Sequence, residues 1–319
     1  MKISIIIPIY GVEKYIAQCA RSLFNQSETN LEFIFVNDAT KDHSIEILRE
    51  VISKEYSNLQ EQIIIIDKPV NEGLPQARKT GVNRATGDYI MHCDSDDWIA
   101  ADAITSIVKK IEDTSADIIY YNYYISTEEH DEIRNEDVFF TPEEYMKAII
   151  SFSKKSGAYC WNKVIKRKFY DLVETWPTEN MHEDIGLMPQ IIYHTKTITF
   201  IEKPLYHYRC SSTSSMSINY NKNVVKRTQS KANHLILINF LEKHKLINSF
   251  HKQYQQLISR CAYNAAFFDK SSIVKELPVY RSIWRIPLFW NFDVSIRRQL
   301  QSRLVISYYF IKNRLSFFQ

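Results

Sequence analysis

Asp94, Asp96 and Asp97 stand within four residues of one another, directly after an apolar run, Asp88–Cys93. Three carboxylates that close repel one another unless a cation or hydrogen-bond donors compensate the charge. A divalent metal is the simplest compensation. Magnesium and manganese are hard ions that take one or two protein carboxylates and fill the rest of their shell with substrate phosphates. A diphosphate would complete such a shell. The run also reads as a solvated turn with an aspartate capping the helix that begins near Ala101. A buried strand leading straight into the carboxylates favours the metal.

The elements that position this cluster follow from hydrophobic period. Runs rich in β-branched residues occur at Ile3–Pro8, Leu31–Asn37, Ile63–Asp67, Asp88–Cys93 and Asp117–Tyr124. Helical spacing fills Glu13–Asn25, Ser44–Glu55, Leu74–Ala85 and Ala101–Asp113 between them. Such alternation predicts an α/β fold with a doubly wound, mainly parallel sheet flanked by helices. Ligands bind at the carboxyl ends of such strands. Asp38 closes the second strand, Asp67 the third, and the Asp94 cluster the fourth. Farther on, Thr141-Pro142-Glu143-Glu144 is a capping-box signal for a helix to about Phe152. Alternation returns at Thr197–Arg209, and the serine-rich Ser211–Ser217 reads as a mobile loop. From Asn223 on, Leu235, Ile238, Leu241, Leu257, Ile258 and Cys261 recur at helical spacing, which predicts a helical C-terminal extension.

Composition narrows the classes. With 319 residues, 45% hydrophobic and 24% charged, the chain is globular rather than disordered. Its five cysteines are scattered without paired spacing, which excludes a disulfide framework or structural zinc and fits a cytoplasmic location. The apolar start is too short for a signal peptide, and no stretch reaches the roughly 18 apolar residues of a spanning helix, so a soluble or peripherally attached protein is expected. The six glycines fit neither a dinucleotide fingerprint nor a P-loop, which excludes a dehydrogenase and a P-loop kinase. Metal and basic side chains must then hold a diphosphate.

With these residues in place, the sequence resembles the family 2 inverting glycosyltransferases, which use the GT-A fold. The resemblance is carried by Ile5-Ile6-Ile7-Pro8-Ile9-Tyr10, by Phe35-Val36-Asn37-Asp38 with Asp42 and Ser44, by Asn71-Glu72-Gly73 with Ala77-Arg78, and by Gly87-Asp88-Tyr89-Ile90 running into Asp94-Ser95-Asp96-Asp97-Trp98. It is clear over residues 1–100 and looser to Arg209. It implies a nucleotide-sugar donor, with Pro8 and Tyr10 bordering a uracil-like base and Asp38 accepting from the base edge. Arg78 would lie near the diphosphate, or be a plain surface arginine, and Asp94, Ser95 and Asp96 would line the nucleotide and metal site. Asp94 and Asp96 would hold Mn2+ or Mg2+, and Asp97 and Trp98 would face the acceptor, although packing explains Trp98 equally. Asn37 and Gly11 depart from the aspartate and asparagine usual in the family.

The resemblance also places a general base in His182-Glu183-Asp184, with Asp184 the base and Glu183 its neighbour. Pro189 would force a helix to begin close by, so an N-cap role for Asp184 competes. Tyr206-His207-Tyr208-Arg209 resembles the segment that closes over the donor, with Arg209 neutralising diphosphate charge; core packing also explains His207 and Trp161. The expected division is a transferase domain over 1–220, with a nucleotide-binding half to about 100 and an acceptor half after it, then a helical region over 221–319 that binds membrane or a partner.

From Arg281 to Gln319, seven basic residues stand against Asp293 alone, a net +6 in a chain whose total is +3. Interleaved with Leu304, Tyr308, Ile311 and Phe317, they read as a basic amphipathic helix on an anionic membrane surface, or as one packed on its own domain or on a second subunit. Nucleic acid is not an expected partner. The expected acceptor is a saccharide, free or lipid-linked, in surface polysaccharide synthesis. Two other readings stand beside this one: a non-catalytic transferase-like assembly subunit, and a sugar-phosphate nucleotidyltransferase, which lacks its glycine-rich loop here.

Overall fold

The computed structural model describes residues 1–153, 155–210, 223–281, 283–287 and 295–315, with the backbone alone at 312, 314 and 315. The serine-rich run and the last four residues lie outside the described set. The chain divides into two compact units, Met1–Thr178 with Leu187–Ser215, and Glu179–Gly186 with Met216–Gln319.

In the first unit the chain runs β1 Ile3–Ile9, α1 Ile16–Phe24, β2 Leu31–Asn37, α2 Ser44–Glu55, β3 Ile63–Asp67, α3 Leu74–Arg84, β4 Tyr89–His92, β5 Trp98–Ile99, α4 Ala103–Thr114, β6 Ile118–Ser126, β7 Asp131–Arg134, α5 Pro142–Ile150 and β8 Lys163–Lys166. Helix α6, Glu183–Tyr193, whose first turn belongs to the second unit, and strand β9, Ile198–Arg209, follow. Among the described residues one sheet runs β3-β2-β1-β4-β8-β6-β9-β5, with β7 beside β6. Strands β3, β2, β1 and β4 are mutually parallel, as is the β6–β9 pair. The expected mainly parallel sheet is present, with β5, β7 and β8 paired antiparallel.

Strand β1 is buried on both faces, which is why it reads as an unbroken apolar run rather than an alternating one. Helix α1 puts Ile16, Cys19, Ala20 and Leu23 on its buried face, the spacing of an amphipathic helix. Its last residue, Phe24, meets Phe33 of β2 edge to face at 5.1 Å. A buried carboxylate ties the amino ends of β1 and β2. Glu32 accepts from Ser4 Oγ at 2.6 Å, from Thr86 N and Oγ1 at 2.9 Å each, and from Lys2 Nζ at 3.1 Å. Burial alone would raise its carboxyl, but these donors bring it down to about 2.

The capping box forms as expected, with Thr141 Oγ1 accepting from Glu144 N and Glu144 Oε2 from Thr141 N, both at 3.2 Å. Pro189 departs from expectation: it sits inside α6 rather than ahead of a helix. Only one intrahelical donor is lost by that placement.

The second unit carries the helical extension: α7 Val224–Lys243, α8 His251–Phe268, α9 Ile273–Glu276 and α10 Ile296–Leu315. Leu237, Ile238 and Leu241 of α7 and Leu257, Ile258 and Cys261 of α8 are buried in it. Buried Lys231 bridges Asp269 and Glu276, each at 2.7 Å. Among the described residues no helix is long and apolar enough to cross a membrane.

Candidate functional site

The carboxyl ends of β1, β2 and β4 bring the first candidates together. Pro8 is buried in β1, and its carbonyl accepts from Ser95 Oγ at 2.6 Å, which joins β1 to the loop after β4. Tyr10, just past β1, is 52% exposed, so its ring face is open for stacking. Gly11 beyond it has φ 69°, a left-handed conformation that glycine and asparagine tolerate, which accounts physically for one standing in the other's place.

Asp38 closes β2 and is 3% exposed. One oxygen accepts from Lys68 Nζ at 2.6 Å and Glu72 N at 3.1 Å, the other from Gly73 N at 2.7 Å. Gly73 caps α3 with φ 87°, where a side chain would strain the backbone. Burial opposes the charge on Lys68, but hydrogen bonds to Asp38 and Glu72 outweigh it and raise its pKa. Asn37 donates to Asp67 at 2.8 Å and accepts from Thr40 N at 2.9 Å, so the residue standing for an aspartate is absorbed in loop structure.

Helix α3 carries Arg78 inward, where its Nη2 donates to Asp94 Oδ1 at 2.6 Å. The arginine is buried, not a surface residue. Beyond it, Asp96 is half-buried. Burial, and after it the charge of Asp94, pushes the Asp96 carboxyl up to about 6 despite Arg209 and Arg78. Asp97 is buried with both oxygens engaged: Oδ2 accepts from Tyr206 OH at 2.8 Å and Oδ1 from Arg209 N at 2.7 Å. Burial, then the charges of Asp96 and Asp94, holds its carboxyl well above the usual range. The side chain read as facing the acceptor is thus a hub inside the loop.

Strand β9 supplies the clasp. Tyr206 OH donates to Asp97 and also accepts from Asp94 N at 3.0 Å. Arg209 Nε donates to the Asp96 carbonyl at 2.7 Å and Nη2 to Gln18 Oε1 at 2.6 Å. Its guanidinium lies over Tyr15 at 4.7 Å and Trp98 at 4.6 Å. Arg209 therefore reaches the cluster, holding its backbone. Trp98 also stacks on His207 at 4.7 Å, so packing engages its ring. Trp161 is core, stacked on Tyr206 at 4.7 Å. Gln18 and Tyr15 carry no signal in the sequence, and Tyr206 stands there only as part of the Tyr206-His207-Tyr208-Arg209 segment, with no role of its own; the strand period of β9 sets it on the face opposite His207.

Glu183 and Asp184 belong to the second unit, in the first turn of α6. Asp184 Oδ1 lies 2.9 Å from Ile185 N, the donor next to it in the chain. Glu183 is buried. His182 has φ 60° and shares a hydrogen bond with Ser230 Oγ at 2.8 Å, a structural tie.

The donor set of the loop suits a hard cation. Asp94 and Asp96 offer carboxylate oxygen, and the raised Asp96 marks negative charge that the protein's own donors leave undercompensated. Among the described residues no group of three or more His, Cys, Asp or Glu side chains is arranged to hold a metal. Two carboxylates would leave most of the shell to phosphate and water.

Comparison with known proteins agrees with this reading of the fold. The chain is 31% identical over 226 residues to the glycosyltransferase GlyA of Streptococcus pneumoniae, a match covering 65% of this chain and 30% of GlyA. It is 29% identical over 238 residues to the putative glycosyltransferase EpsH of Bacillus subtilis, covering 72% and 64%. The matched region thus spans less than two thirds of either relative. The fold matches the crystal structure of S. aureus TarS 1–349 in complex with UDP-GlcNAc, with a TM-score of 0.62 and 17% identity over 90% of this chain and 82% of that one. The sequence profile of glycosyl transferase family 2 matches residues 4–173, which takes in every strand from β1 to β8 and the whole carboxylate loop, and the chain belongs to that family.

Proposed function

We propose that the chain is an inverting glycosyltransferase that moves a sugar from a nucleotide diphosphate, a UDP-sugar, onto a saccharide or lipid-linked saccharide during surface polysaccharide synthesis. The observation that carries this is the Asp94–Asp96 pair, set at the end of β4 against Arg78 and left with a carboxyl raised to about 6. Tyr10 offers its exposed ring to the base. Asp38 Oδ2 has one protein donor and so retains acceptor capacity for the base edge. Ser95 fixes the loop against Pro8, and Arg209 with Tyr206 holds it from the other side. When bound, Mn2+ or Mg2+ would neutralise charge on the departing diphosphate.

Inversion needs a base that takes the acceptor hydroxyl proton as the sugar carbon is attacked from the face opposite the leaving phosphate. Asp184 is the proposed base, with Glu183 beside it, on the strength of the His182-Glu183-Asp184 segment. TarS, complexed with UDP-GlcNAc, supports the UDP-sugar assignment by likeness of fold. The proposed location is the cytoplasm, with the chain peripherally attached at the cytoplasmic face of the membrane.

Calorimetric titration of UDP into the chain, with and without manganese, tests the metal and the nucleotide together. Equal affinity in both conditions removes the metal. Screening nucleotide sugars for thermal stabilisation then identifies the donor.

A further inference from the structure

Helix α10 is folded with its polar side inward. Gln299, Ser302, Arg303 and Ile306 are buried, whereas Leu300, Leu304, Tyr308 and Ile311 are 40%, 61%, 57% and 60% exposed. The exposed four are spaced four, four and three residues apart, so they share one face along the helix, within an arc of roughly 100°. The inward side is satisfied by polar contacts: Arg303 Nη2 donates to the Pro287 carbonyl at 3.1 Å, and Ser302 Oγ to the Gln299 carbonyl at 2.7 Å. Trp284, 52% exposed, donates its indole N–H to Ser307 Oγ at 2.5 Å and adds an aromatic ring at the edge of the stripe.

The helix has 20 residues and no carboxylate, while five of its residues are Arg or Lys. Arg297 and Arg298, at its start, are exposed. We infer that the outward face of α10 is a membrane-docking surface that lies in the headgroup region of an anionic bilayer. The apolar stripe and Trp284 enter the acyl boundary, and exposed Arg297 and Arg298 meet lipid phosphates. Charge decides between occupants: a second copy of this chain would bring the same positive excess to the contact, whereas anionic lipid neutralises it. This deepens the peripheral location proposed above and is independent of the carboxylate site.

The test is co-sedimentation of the full chain with vesicles of phosphatidylcholine alone and of phosphatidylcholine mixed with phosphatidylglycerol. The chain should pellet with the anionic vesicles and release as salt is raised. Leu304→Glu combined with Ile311→Glu should weaken that partition at least about tenfold, and Arg297→Glu combined with Arg298→Glu should markedly reduce the preference for anionic lipid. UDP affinity measured on each variant shows that it is folded and reports on the transferase reading separately. A chain left in the supernatant with both vesicle types, or one that instead doubles its mass in sedimentation velocity through this face, overturns the inference.

Discussion

Arg78 and Asp94 form an ion pair at 2.6 Å in which the arginine side chain is 3% exposed and the carboxylate 22%. The pair holds one oxygen of Asp94 in place from beneath while the residue keeps an edge in solvent. A carboxylate fixed in this way can meet a cation without first being ordered.

Arg78→Met should therefore cost stability as well as donor binding. Breaking a fully buried pair costs about 3–5 kcal/mol, and the solvent left to Asp94 reduces this to about 2–3 kcal/mol. Urea denaturation measures it; a loss below about 0.5 kcal/mol would mean that the pair is idle.

Asp96→Asn should move stability and binding in opposite directions. Burial beside Asp94 disfavours the charged form, so removing the charge should leave the melting temperature at pH 8 unchanged or higher. UDP affinity in manganese should fall at least about tenfold. A variant with unaltered manganese-dependent affinity would exclude Asp96 from the site.

The base assignment separates binding from chemistry. Asp184→Asn should bind UDP as the parent does and transfer sugar about 10²–10⁴-fold more slowly. Calorimetry and single-turnover transfer distinguish the two; full transfer would place the base elsewhere.

Glu136 gives a pH test away from the site. It is buried, and desolvation pushes its carboxyl up to about 7 even though Lys163 and the Gly157 N–H pull it down. Its pKa is higher folded than unfolded, so stability is greatest below the unfolded value of 4.5 and erodes as pH rises from there towards 7. The loss is on the order of 3 kcal/mol. Glu136→Gln should raise the melting temperature at pH 8 and leave it nearly unchanged at pH 4; an equal effect at both would contradict the assigned environment.

The first hundred residues were legible because their signals are redundant. Strands β1 and β2 are apolar apart from Ser4, Glu32 and Asn37; beyond that stretch, Thr141 with Glu144 announces its own helix. Strand β8 was not legible: it is four residues long, begins and ends with lysine, and owes its burial to partners in β4 and β6. Lys163 is buried there because its ammonium donates to the Gly157 and Tyr159 carbonyls, at 3.0 and 2.6 Å, contacts that no local pattern encodes. Within the site, Asp94 and Asp96 could be read from their spacing. The inward turn of Asp97 could not, since its partners Tyr206 and Arg209 lie more than a hundred residues away.

That separation sets an order on biogenesis. Strands β1 to β4 and the carboxylate loop leave the ribosome early and can pair among themselves, whereas the hydroxyl of Tyr206 and the amide of Arg209 arrive about a third of the chain later. A nascent chain halted before β9 holds every acidic residue of the loop with Asp97 still unclasped, so the loop is locked only by β9, the last strand among the described residues.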